Sequence, residues 1–367
     1  MTEQELSAYI QAIRPADEAA MEAARRRQAQ LAKPPGSLGQ LEEISIRLAG
    51  VTGQVCPAMG KCRVAVFAAD NGVVAEGVSC TPPAVTLQQA VNMTFRKTGM
   101  SAMAAAFGDD VSVVDVGIDG DVPPVGVLDR KVRRGTGDIA REDAMTHQQV
   151  LDAMAAGMEQ AARARADGVT ALGIGEMGIG NTTTSAAVLA ALTGADIEAV
   201  TGRGGGLTDE GFLRKKEVLR QALALHRPDG NDVIGVLAGV GGLDLAAMTG
   251  AFLGCAHERV PAAVDGFISI AAALCAVRLC PAVRDVLFLS HDSYEVGYRI
   301  AAETLGLQPC LRLGMRLGEG SGCPLLFRVL EGACGVMRGM ATFGEASIED
   351  SYLDEIRAVD AFTVEGA

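Results

Sequence analysis

The sequence predicts an α/β protein: an open parallel sheet flanked by helices, with a small helical domain built from both chain termini. Three observations predict it. Short apolar runs of four to seven residues each stop at Gly, Asp, Ser or His. Ala-rich amphipathic stretches of helical length separate these runs. The N-terminal stretch and the tail after Leu330 read as helical and stand outside that alternation. Buried strands alternating with helices are the pattern of a parallel sheet covered on both faces, a Rossmann-like arrangement.

Taken in order, residues 1 to about 32 read as helix, with apolar residues at Leu6, Ile10, Ile13, Met21 and Leu31 and a break at Pro15. Lys33-Pro34-Pro35-Gly36-Ser37-Leu38-Gly39 is a rigid turn, with Ser37 as candidate cap of a helix over Leu41–Leu48. The expected strands are Arg63–Ala69, Val111–Gly117, Val169–Ile174, Val233–Ala238 and Val286–Leu289. The expected helices are Gln88–Phe107, His147–Arg165, Thr182–Leu192, Asp209–Leu225, Leu243–Ala256 and Phe267–Val277. This gives an N-terminal helical segment over 1–60, a catalytic α/β domain over 61–330, and a C-terminal helical segment over 331–367.

Composition narrows the function. The chain has 367 residues, 49% hydrophobic and 21% charged, with 32 Lys+Arg against 45 Asp+Glu and a net charge of −13. An acidic chain with no basic block is a poor holder of nucleic acid or of an anionic membrane surface. Any anionic ligand must be held locally, by backbone amides or a few cations. The longest uncharged stretch, Gly178 to Ala195, carries Asn181 and several Ser and Thr, so it reads as loop and helix rather than membrane span. A charged N-terminus without an apolar core, and scattered cysteines without CxxC, lead us to expect a cytoplasmic protein with reduced thiols.

Three glycine-rich stretches carry the chemistry. Gly173-Ile-Gly175-Glu176-Met-Gly178-Ile-Gly180-Asn181-Thr182-Thr183-Thr184 follows a strand and opens a helix, where backbone N–H groups favour an anion. Gly173, Gly175 and Gly178 also fit GxGxxG, with Asp196 about 20 residues on as a ribose acid would be. Glu176 sits inside that loop, where it would repel a pyrophosphate. Thr201-Gly202-Arg203-Gly204-Gly205-Gly206, followed by Lys215 and Lys216, could form an amide nest or a solvated loop. Arg316-Leu317-Gly318-Glu319-Gly320-Ser321-Gly322 presents a carboxylate flanked by glycines, open to a flat ring or to solvent. Burial beside an apolar ligand would raise its pKa toward that of a useful base.

Weaker clusters are Asp70-Asn71-Gly72 and Asp115-Val116-Gly117, whose carboxylates end strands, and Ser290-His291-Asp292-Ser293, a conceivable hydrolase group without a GxSxG elbow. His147, His226, His257 and His291 are isolated, so no metal site is expected. A nicotinamide-dependent dehydrogenase on Gly173–Gly178 and Asp196, or a non-catalytic nucleotide sensor, would use the same loops.

Together these stretches resemble one family. KPPGSLGQLE (Lys33–Glu42), AADNGVVAEGV (Ala68–Val78), VTLQQAVNMT (Val85–Thr94), VVDVGID (Val113–Asp119), GIGEMGIGNTT (Gly173–Thr183), VGGLDLAAMTG (Val240–Gly250), DGFIS (Asp265–Ser269), SHDSYEVG (Ser290–Gly297) and MRLGEGSG (Met315–Gly322) are similar to the nicotinate-nucleotide–dimethylbenzimidazole phosphoribosyltransferases. Asn71 stands where that family usually has His. The resemblance implies transfer of a 5-phosphoribosyl group from nicotinate mononucleotide to 5,6-dimethylbenzimidazole or a related base in cobalamin biosynthesis. It implies Glu319 as the base and Glu176 as the second carboxylate, either of which could stabilise positive charge on the ribosyl carbon. The nucleotide and its phosphate would meet Gly178, Gly180, Asn181, Thr182, Gly204, Gly205, Gly206 and Lys215, with Ser293 and Asp265 further out. The aromatic base would meet Thr81, Gln89 and Leu317. No metal or redox cofactor and no nucleic-acid or membrane partner are implied, and a homodimer is.

Overall fold

The structure is a computed structural model that describes residues 1–123 and 126–354. Residues 355–367, part of the expected C-terminal helical segment, lie outside the described residues. The sheet has six parallel strands: β1 (Cys62–Ala69), β2 (Asp110–Gly117), β3 (Val127–Asp129), β4 (Ala171–Met177), β5 (Ala262–Val264) and β6 (Leu287–Leu289). Their order is β3-β2-β1-β4-β5-β6, the doubly wound order. The chain reverses its direction of travel across the sheet between β1 and β4. A crevice at such a switch point, beyond the strand C-termini, is where these sheets bind ligands.

Register brings the chemistry to one edge. Phe67 pairs with Glu176, Ile174 with Val264, and Val264 with Leu289. Asp70 and Asn71, Glu176, Asp265 and His291 therefore all leave the sheet on the same side. β1 and β4 are buried almost throughout, and helices cover both faces. The helix Leu243–Glu258 is apolar all round and packs against His147–Ala166 at very short range. A Cβ on Gly157 would stand 1.8 Å from the Ala247 carbonyl oxygen, so only glycine admits that approach.

Four of the expected strands form, with shifted ends. Val233–Ala238 does not: it lies in the helix Val233–Val240, capped by Asp232 through the Gly235 N–H at 2.9 Å. An apolar run of that length carries no period to tell strand from buried helix. β3 and β5, three residues each, were not anticipated. The stretch expected as one helix over Gln88–Phe107 is two, Val85–Thr94 and Gly99–Phe107, broken at Arg96 with φ +60°. Ser37 is not the cap of the helix Gln40–Thr52. Gly39 holds that position, and Glu42 accepts the Leu38 N–H (3.0 Å) and pairs with buried Lys33 (2.6 Å).

A second, smaller core joins both chain ends. Ala20, Ala24, Leu31, Ala49 and Met337 cluster apart from the main core, and Arg27 donates to the Met337 and Met340 carbonyls at 3.3 Å. The helix Cys323–Gly339 runs unbroken through residue 330, so it serves both the catalytic edge and this terminal cluster. No helix among the described residues is long and apolar enough to cross a membrane.

Candidate active site

A cavity of about 260 Å³ opens at the switch point, beyond the C-terminal ends of the strands. Its wall takes Thr81, Val85 and Gln89 from one side, Glu176 to Thr182 from β4 and the following helix, and Gly204 and Gly205 from the glycine loop. Asp265 to Ser269, His291, Ser293, Glu295 and Arg316 to Glu319 close the remainder.

Glu319 is 5% exposed and sits in the left-handed region at φ +63°, between Gly318 at +81° and Gly320 at +83°. Holding a non-glycine residue there is costly, and such positions persist where surrounding contacts over-determine them. Those contacts are visible. Glu319 Oε2 accepts the Met100 N–H at 3.2 Å, at the start of the helix Gly99–Phe107. Asp265 pins the following turn, accepting the Gly320 N–H (3.1 Å) on Oδ2 and the Gly322 N–H (2.7 Å) on Oδ1. Burial raises the Glu319 carboxyl above the ordinary range, opposed by the Met100 N–H and the Thr98 hydroxyl.

The glycines of β4 explain how this loop reaches the sheet. A Cβ on Gly175 would stand 2.7 Å from the Glu319 carbonyl oxygen and from the Gly320 nitrogen; one on Gly173 would stand 2.5 Å from Cys323 Cβ. The alternate glycines form a slot in one face of β4 that receives the Glu319 turn and the start of the next helix. Gly173 and Gly175 thus lie inside a strand and not in a strand-to-helix turn. Asp196 is exposed and caps a short helix through the Glu198 N–H (2.7 Å). The dinucleotide reading of this motif fails on both counts.

Glu176, 7% exposed, stands beside Glu319 and accepts its backbone N–H on Oε1 at 3.3 Å. Its Oε2 accepts from Asn181 Nδ2, which also donates to Asp244 Oδ2 at 3.0 Å. Burial first, then the carboxylates of Asp244 and Asp265, push Glu176 up to about 8.

The helix Asn181–Thr193 begins at the cavity, with Gly180 at φ +94° making the turn. The Asn181 and Thr183 N–H groups bond the Gly178 and Gly180 carbonyls (3.1 and 2.9 Å), and the positive end of the helix dipole suits an anion here. Lys215 is fully buried behind Thr182 and donates to its Oγ1 (2.8 Å) and to the Gly202 carbonyl (3.2 Å). Burial lowers its pKa to about 8.

The expected amide nest over Gly204–Gly206 requires correction. Gly206 lies outside the cavity wall, and the Glu295 carboxyl stands beside this loop. Glu295 also packs on Gly202, where a Cβ would stand 1.7 Å from its Oε2. Asp265, expected beside the nucleotide, faces the cavity but spends both oxygens on the Glu319 turn. Gly178, Gly180, Asn181, Thr182, Gly204, Gly205, Ser293, Thr81, Gln89 and Leu317 all line the cavity. Leu317 is 57% exposed and lies over Gly99 at the rim.

The weaker clusters resolve differently. Asp115 accepts the Gly117 and Ile118 N–H groups (3.1 and 2.9 Å) and pairs with Lys131 (3.0 Å), a closed turn away from the cavity. Asp70 accepts the Asp119 N–H at 2.8 Å. Ser290 Oγ and His291 Nδ1 are 3.0 Å apart, but the carboxylate near His291 is Asp265 at 3.9 Å, not Asp292, so no hydrolase triad forms. The residues not anticipated are Asp244, Glu295 and the Thr98–Met100 helix start. Asp244 had one visible signal, an acid in the first turn of an otherwise apolar helix.

Comparison with known proteins agrees with this geometry. The profile of a phosphoribosyltransferase family matches residues 13–348. The chain is 46% identical over 341 residues to the nicotinate-nucleotide–dimethylbenzimidazole phosphoribosyltransferase of Clostridium perfringens, spanning 93% of this chain and 94% of that one. It is 45% identical over 347 residues to the enzyme of the same name from Geobacter metallireducens, spanning 94% and 98%. A crystal structure of the Thermus thermophilus enzyme superposes with a TM-score of 0.87 at 44% identity, covering 91% of this chain and all of that one. With a doubly wound sheet, a carboxylate-lined crevice at its switch point and similarity along nearly its whole length, this chain belongs to the phosphoribosyltransferase family.

Proposed function

We propose that this enzyme moves the 5-phosphoribosyl group of nicotinate mononucleotide to 5,6-dimethylbenzimidazole or a related base, releasing nicotinate and forming α-ribazole 5′-phosphate for cobalamin. The leaving pyridinium is already cationic, so its departure from ribose C1 needs little acid. The incoming ring is neutral and must lose its N–H proton as its other nitrogen attacks. Glu319 takes that proton, and its negative charge also favours the positive charge building on the ribosyl carbon. Attack opposite the leaving group turns a β-linked nucleotide into an α-linked one.

The observation that carries this reading is the Glu319 turn: a buried carboxylate at φ +63° on a cavity wall, anchored in the glycine slot of β4 and beside the open Leu317 rim. Thr81, Gln89 and Leu317 supply the ring's remaining contacts. The 5′-phosphate sits at the start of the helix Asn181–Thr193, with Gly178, Gly180 and Thr182 offering donors and Lys215 acting through Thr182. The enzyme works in the cytoplasm as a homodimer. Support for the dimer comes from Tyr294, Val296, Leu313 and Leu317, exposed apolar side chains on the loops that rim the cavity. The sheet and its covering helices form the catalytic domain, and the cluster of Ala20, Ala24, Leu31, Ala49 and Met337 marks the small domain.

Purified protein with nicotinate mononucleotide and 5,6-dimethylbenzimidazole should yield α-ribazole 5′-phosphate and nicotinate in equal amounts. Glu319→Gln should lower the rate by about 10²–10⁴-fold, the usual share of a general base. No product with benzimidazoles, purines and phenols alike would refute the reading.

A further inference from the structure

Glu176 is one half of a pair. The two N–H bonds of Asn181 Nδ2 go to Glu176 Oε2 and to Asp244 Oδ2, so one neutral amide bridges two carboxyls. All three side chains are buried, Asp244 completely. The two acids differ in their other support. Asp244 Oδ1 accepts the Leu245 N–H at 2.9 Å in the first turn of the helix Leu243–Glu258, where the helix dipole favours negative charge. Glu176 Oε1 has the more distant Glu319 N–H at 3.3 Å. Two carboxylates sharing one amide in a low-dielectric site do not both ionise near neutral pH. The charge settles at the helix start and the proton on Glu176.

We propose that Asp244 is a positioning residue for Glu176: through the Asn181 amide it orients the Glu176 carboxyl toward the cavity and keeps it as the protonated member of the pair. The catalytic consequence rests on the transfer reading above, where a neutral Glu176 offers the substrate a hydroxyl donor beside the Glu319 base. The groups facing the pair act on both members: Asp265, from the β5 end, holds Glu176 up, the Glu319 N–H of the 318–320 turn opposes it, and Asp70, from the end of β1, raises Asp244. The nearest cationic candidates are engaged elsewhere: His291 faces Asp265 at 3.9 Å, and Lys215 bonds Thr182 at 2.8 Å. Asp244 itself is raised to about 6, below Glu176 at about 8, mainly by burial in both.

The test is an infrared pH titration of the protonated-carboxyl stretch in wild type, Glu176→Gln, Asp244→Asn and Asp244→Glu. Wild type should show the band at neutral pH and Glu176→Gln should lack it. Asp244→Asn removes the neighbouring charge and should lower the midpoint by about one pH unit, tenfold in proton affinity. Asp244→Glu keeps the charge and should stay within about half a unit of wild type. A band that survives Glu176→Gln, or an Asp244→Asn midpoint equal to wild type, overturns the proposal. Where Asp244→Asn does not fold, an Asp244→Glu midpoint lowered by a full unit overturns it instead. The readout needs no substrate. A wild type that carries the band but transfers nothing refutes the function reading alone; one that transfers without the band refutes the pair alone.

Discussion

Glu319 and Glu176 line one cavity as neighbours, and both are at least nine-tenths buried, yet their surroundings differ. Glu319 rests on a helix N-terminus, where the Met100 N–H and the Thr98 hydroxyl oppose the effects of burial and of Asp265, whose oxygens accept the Gly320 and Gly322 N–H groups. Glu176 faces Asp244 across a single amide and feels Asp265 as well. Burial raises both carboxyls. What differs is the company each keeps: donors from Met100 and Thr98 on Glu319, and the Asp244 carboxyl across the Asn181 amide from Glu176. Two carboxyls with divided environments are a standard way to place a base and a neutral donor in one site.

The sharpest way to break this comparison without touching either acid is through the slot in β4. Gly175→Ala puts a methyl 2.7 Å from the Glu319 backbone and must push the turn away from its amide donors. We expect transfer activity to fall by about a hundredfold, the usual cost of a misplacement near 1 Å, with the fold retained. Steady-state rates with circular dichroism alongside check this. Lys215→Met should act on the other substrate end: KM for nicotinate mononucleotide rises about tenfold, as loss of a charge-assisted contact predicts, and kcat changes little. Leu317→Ala, at the open rim, should raise KM for the benzimidazole only severalfold, the share of one partly exposed apolar contact.

Stability against pH sharpens the Glu176 half. Its folded pKa, about 8, lies above its ordinary 4.5, so between those values the native state holds the extra proton. Stability is therefore full below the lower value and falls as pH rises through the upper one. From about pH 5 to about pH 9 the wild-type Tm should drop more than that of Glu176→Gln, which has no proton to lose. Equal slopes in thermal melts would contradict the neutral assignment.

Much of this was legible in the sequence because glycine marks close approach. The carboxylates embedded in Gly175-Glu176 and Gly318-Glu319-Gly320 stood out, as did the β4-to-helix turn and most strands. The GxG of β4 misled as a dinucleotide motif because its purpose, a slot for a turn some 145 residues later (Gly175 to Gly320), is written in tertiary contacts. Asp244 and Glu295 were missed for the same reason, since their partners are distant in sequence. Val233–Ala238 reads as a strand because a short, largely buried apolar run has no period to tell it from a helix. β3 and β5 are too short to show alternation.

The central claim is the division of labour between the two acids, and single-turnover formation of α-ribazole 5′-phosphate by Glu319→Gln and Glu176→Gln at neutral pH tests it most directly. The account predicts a loss of about 10²–10⁴-fold for Glu319→Gln and less than about tenfold for Glu176→Gln, whose amide imitates a neutral carboxyl. Equal losses, or a larger loss in Glu176→Gln, would contradict it.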